Sequence, residues 1–141
     1  MDPLGLSCWV SKNVVGRKVF QRDNLIDAHT PVKDMEIVSS ALNSPSFKKL
    51  KAMINDGATN KELMAAGYAP FGPDGRQINL HHLIGKEPGT MVELTASFHK
   101  RYHKTLHGLI ENGNSFRNNR SLERAYNLFR TNYWKTRAMD F

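Results

Sequence analysis

Five of the chain's six histidines fall between positions 81 and 107: His81, His82, His99, His103 and His107. Imidazole is the commonest side-chain metal ligand and the group best placed to exchange a proton near neutral pH. Their concentration points to a metal site with a base beside it. The pair stands in Asn79-Leu80-His81-His82-Leu83-Ile84-Gly85. Neighbouring side chains on a strand face opposite ways, so His81 and His82 take different jobs unless the strand ends or bulges there. One binds the metal while the other takes a proton from an attacking water, provided both border one cleft. The other three repeat at intervals of four. On a helix, His99 and His103 share a face about 6 Å apart along the axis, whereas His99 and His107 are separated by about 12 Å and about 80°. Spacing therefore prefers His99 and His103 as helical ligands, and a His107 cation at the helix end would interact well with the dipole. His29, outside the cluster, reads as an ordinary core or surface histidine.

One divalent cation held by two or three imidazoles, with open coordination positions, would bind a phosphate oxygen and stabilise the charge that develops as a P–O bond breaks. The composition agrees with such a substrate: 20 Lys and Arg against 13 Asp and Glu give a net charge of +7, a surface that attracts polyanions. Arg120, Arg130, Lys135 and Arg137 are candidate phosphate contacts near the C-terminus. No helical HExxH, P-loop, Rossmann glycine pattern or GxSxG elbow is present, which disfavours peptide, nucleotide-driven, redox and serine-hydrolase chemistry. Cys8, the only cysteine, has no internal disulfide partner. No apolar run approaches the ~20 residues that span a bilayer, so no membrane partner is expected.

Positioning these residues requires an α+β unit, mainly helical, with one small hairpin. Residues 1–16 mix Gly, Pro, Ser and Asn without a sustained period and read as a linker; 17–141 read as one folded domain. Met35, Ile37, Val38, Ala41 and Leu42 can share a helical face, Ser44-Pro45 opens a second helix that Gly57 stops, and a short third one over 59–66 ends at Gly67. A turn at Gly72-Pro73-Asp74-Gly75 precedes a strand over 77–84. Met91 to Leu94 returns as its partner, and Thr95 caps a helix expected to reach His107. A last helix over 121–135 turns Leu122, Ala125, Tyr126, Phe129 and Tyr133 or Trp134 inward.

Taken in order, Gly72-Pro73-Asp74-Gly75, Asn79-Leu80-His81-His82, Glu93-Leu94-Thr95, Phe98-His99, Leu106-His107, Arg120-Ser121 and Tyr133 to Phe141 resemble the LHH group of the HNH/endonuclease VII nucleases, whose shared core is the ββα-metal finger. The resemblance implies a metal-dependent endonuclease in which His82 is the general base and His81 a ligand beside His99 and a further helical histidine. The family pattern favours His107 for that place where spacing favours His103, so both stay open. In place of the asparagine that braces the loop behind the base in HNH enzymes, the chain offers Glu93 or Thr95. The ion would be Zn, Mg, Mn or Ni. Asp2-Pro3-Leu4-Gly5-Leu6 is similar to the junction that closes the cage-forming core of Rhs (YD-repeat) proteins. That likeness implies a toxin domain exported within a larger effector, acting on DNA in the target-cell cytoplasm and blocked in the producer by a cognate, acidic immunity protein. An RNase on the same finger, or a zinc-stabilised nucleic-acid-binding module without catalysis, are the alternatives.

Overall fold

The computed structural model describes residues 9–82, 89–101 and 119–141. Its centre is a four-stranded sheet of β1 (Val10–Val14), β2 (Arg17–Gln21), β3 (Asn79–His82) and β4 (Met91–Leu94), in the order β1-β2-β4-β3. β1 and β2 form an antiparallel hairpin, and β3 and β4 another. The two hairpins join through a parallel contact in which Val19 meets Met91 and Phe20 meets Val92. Residues 10–16, expected as linker, are therefore part of the sheet. Only Val14 of β1 is buried, so the strand has no inward-facing stripe by which its sequence could announce it; its ladder holds it in place. The two-residue turn places Val15 at φ 51° and Gly16 at φ 81°. Two-residue hairpin loops favour such positive φ values, which a β-branched valine adopts only under strain.

Alternation along the strands gives the sheet two different faces. On one, Val19, Leu80 and Met91 pack against α4 (Arg120–Arg137) through Tyr126, Phe129, Tyr133 and Trp134, all buried. These four recur at helical spacing, and burying an apolar side chain of this size is worth about 1.5–3 kcal/mol. On the other face, Val92 and Leu94 meet Phe20, Trp9 and Phe98, the last from α3 (Ala96–Arg101). The finger is thus β3, β4 and α3, with α4 closing the opposite side. The α+β architecture agrees with the expectation.

A second, smaller core gathers Val32, Leu42, Leu50, Ile54, Ala58, Leu63 and Phe71. It lies around α1 (Lys48–Asn55) and α2 (Asn60–Ala65). Thr59 caps α2 in a reciprocal box with Glu62, two orphan backbone donors being satisfied together. Leu63 points into this core and its neighbour Met64 into the larger one, so one turn of α2 joins both. The expected helix around Met35 to Leu42 is instead two short 3-10 turns, Val32–Asp34 and Ser39–Leu42. Between them the amide of Val38 donates to the carbonyl of Gly75, an outward commitment that a continuous helix would break.

Candidate active site

The finger is seated by three sets of contacts. Thr95 accepts the amide of Phe98 at 3.1 Å and its carbonyl accepts the amide of His99 at 3.0 Å, so it caps α3 as its sequence position suggests. Phe98 meets Trp9 edge-on at 6.1 Å between ring centres, and the Trp9 indole donates to the carbonyl of Glu93 at 2.9 Å. With α3 held this way, the imidazoles of His99 and His81 lie 4.7 Å apart between ring centres, although the two residues stand 18 positions apart in sequence.

His82 faces the other way, 5 % exposed, its ring 4.7 Å from that of Tyr126 on α4. The Tyr126 hydroxyl donates to the carbonyl of Leu80 at 2.8 Å, fixing the aromatic wall that fixes the imidazole. β3 is the last strand of the sheet on its side. Among the described residues no strand pairs with its outer edge. Strand alternation divides the two histidines between faces.

The pair of His81 and His99 suits one divalent ion in donor type and spacing, neutral imidazole being a ligand for Zn, Ni and related metals. Among the described residues no third His, Cys, Asp or Glu joins them. His103 and His107 lie outside the described residues.

The candidate phosphate contacts separate. Arg120, Arg130 and Lys135 are exposed on α4. Arg130 stands by the site, its guanidinium 5.5 Å from the Tyr126 ring centre. The Lys135 side chain passes Gly67, at the end of α2, instead. Arg137 is a correction: it is 1 % exposed and committed to protein carboxylates. It donates to Glu93 at 2.9 and 3.3 Å, to Asp23 at 2.7 Å and to Asp140 at 2.8 Å. The helical period explains this, since Arg137 is one turn beyond Tyr133 and shares its buried side.

Glu93, fully buried, also accepts the Tyr133 hydroxyl at 2.5 Å and the amide of Arg22 at 3.3 Å. Burial, followed by the charge of Glu93, raises the Tyr133 hydroxyl far above the ordinary phenol range. Burial disfavours the Arg137 cation, but its bonds to Glu93, then to Asp23 and Asp140, more than offset this and hold it protonated. Of the two bracing candidates, Glu93 therefore ties β4 to α4, and Thr95 caps α3.

Arg17 is a residue that sequence reasoning missed. Its guanidinium lies 4.2 Å from the Phe129 ring centre and 4.0 Å from the sulfur of Met91, the residue paired with His82 across β3 and β4. Only the parallel β2–β4 contact brings it there, and no local pattern signals that contact.

Residues 59–140 match the model of a family described as a nuclease of the HNH/ENDO VII superfamily with conserved LHH. The chain belongs to the LHH nucleases. No solved structure matches it. The matched span of this LHH nuclease opens at the α2 cap, contains the whole finger and ends with α4, leaving β1, β2 and α1 outside. An LHH nuclease hydrolyses phosphodiester bonds, so the reading as a non-catalytic zinc module gives way. Nucleases of this superfamily are generally metal dependent, in keeping with the imidazole pair.

Proposed function

We propose that this LHH nuclease is a DNase toxin of interbacterial competition, with His81, His99 and one of His103 and His107 as metal ligands and His82 as general base. The observation that carries the reading is the division of imidazoles between the two faces of β3: two together on one face, one against Tyr126 on the other. A bound divalent ion, Zn, Mg, Mn or Ni, supplies Lewis-acid stabilisation of charge on the phosphate and the leaving 3′-oxygen. His82 accepts the proton of the attacking water, and Tyr126 holds its ring for that transfer. Arg130 and Arg17, on the His82 side, offer guanidinium groups to the flanking phosphates. The charge of +7 draws in the polyanion over longer range.

The toxin role rests on the likeness of Asp2-Pro3-Leu4-Gly5-Leu6, outside the described residues, to the Rhs core junction. On that reading the domain leaves its producer with the Rhs core, acts in the target-cell cytoplasm, and meets an acidic immunity protein at home. The test is direct. With Mg2+, Mn2+, Ni2+ or Zn2+ the protein should degrade supercoiled plasmid and spare total RNA. His82→Ala should cut the rate by about 10²–10⁴ and abolish growth inhibition on cytoplasmic expression. Degraded RNA beside intact plasmid would assign it to the RNases, and inertness toward plasmid with every ion would sink the DNase reading.

A further inference from the structure

The turn Gly72-Pro73-Asp74-Gly75 lies outside the finger, yet both carboxylate oxygens of Asp74 are engaged there. Oδ1 accepts the amide of Arg76 at 3.2 Å, closing the turn on itself. Oδ2 accepts the amide of Ser97 at 2.9 Å across 23 residues. Ser97 is in the first turn of α3, two positions before His99, where an amide has no partner within the helix. Asp74 thereby satisfies one orphan donor while Thr95 satisfies the next, and its negative charge stands at the favourable end of the helix dipole.

The turn is itself held from behind. Gly72 and Arg76 close it through a 2.8 Å amide-to-carbonyl bond, and the carbonyl of Gly75 accepts the amide of Val38 at 2.9 Å. Gly75 sits at φ 75°, and a Cβ there would lie 2.5 Å from the carbonyl oxygen of Glu36. Glycine is required for both reasons. A rigid path therefore runs from residues 36–38, through the turn, to the end of α3 that sets the height and rotation of His99 against His81.

We infer that Asp74 is a positioning residue for the imidazole pair, anchoring the metal helix to the smaller core. The inference rests on the reading of His81 and His99 as ligands, and the effect is on ion affinity. Partners that orient metal ligands typically contribute about tenfold to a hundredfold in affinity.

Calorimetric titration of the metal-free protein with Zn2+ alone tests this. Asp74→Ala should raise the dissociation constant about tenfold, with Asp74→Asn, which keeps one carbonyl acceptor, in between. Thr59→Ala removes a cap of comparable strength from α2 and should leave the constant unchanged. Ser97→Pro deletes the same bond from the donor side, at a first-turn position that tolerates proline, and should match Asp74→Ala; it decides the matter if the latter fails to fold. Parent-like Zn2+ affinity in either variant, or an equal loss in Thr59→Ala, overturns the inference while sparing the ligand assignment. A parent protein that binds neither Zn2+ nor, in parallel titrations, Ni2+, Mn2+ or Mg2+ overturns both.

Discussion

Replacing Arg137 with methionine separates a structural role from a nucleic-acid one. The substitution keeps much of the apolar bulk and deletes the charge. Asp23 is 69 % exposed at its side chain and Asp140 is 35 % exposed, so losing those ion pairs costs about 0–1 kcal/mol each. Glu93 is the dominant loss. Its side chain is fully buried, and among the described residues it would keep the Tyr133 hydroxyl and the Arg22 amide. Stranding one member of a buried pair costs about 3–5 kcal/mol. For a domain of this size that corresponds to a melting temperature lower by about 10–20 °C.

Urea denaturation at low temperature gives the free energy, and the cycle with Glu93→Met and the double variant isolates the pair. The double variant should recover at least half of the loss, because an apolar replacement leaves no buried charge. Refutation would be a parent-like urea midpoint for Arg137→Met together with weaker, less salt-sensitive DNA binding. That outcome would return Arg137 to the phosphate contacts.

Val15→Asn should stabilise the protein by about 1 kcal/mol, since asparagine tolerates positive φ and the exposed valine loses little packing; a lower urea midpoint would contradict the turn geometry. Tyr126→Phe should cost about 1 kcal/mol through the lost bond to Leu80 and largely preserve turnover. Tyr126→Ala should lower kcat further because His82 loses its wall, and equal kcat values in the two variants would refute that support. Arg130→Ala should reduce the magnitude of the salt slope of DNA binding by about 0.9 while Lys135→Ala leaves it near parent, as fluorescence anisotropy at several salt concentrations would reveal; equal effects would dissolve the distinction between them.

The finger was legible because its signals are local. Met91 to Leu94 reads as a strand and is one, Thr95 caps where a threonine before a helix should, and Gly57 and Gly67 follow the helices they were expected to stop. The two aligned histidines were separable by strand alternation alone. α3 begins where expected and is described as far as Arg101. What escaped detection depends on distant partners. β1 exposes nearly every side chain, and β2 joins β4 across some 70 residues. Arg137 looked like one cation among several because its identity as a core residue depends on Glu93. A faint clue was available: a glutamate inside Met-Val-Glu-Leu, a run otherwise apolar, requires a buried counter-charge somewhere.

Asp23 and Arg137 meet although 114 positions separate them, and Glu93 of the finger lies in the same knot. A growing polypeptide therefore cannot complete the support behind its hydrolytic centre until the turn bearing Arg137 has cleared the ribosome, long after the histidines have emerged. Synthesis order itself makes that support the last part of the described fold to close.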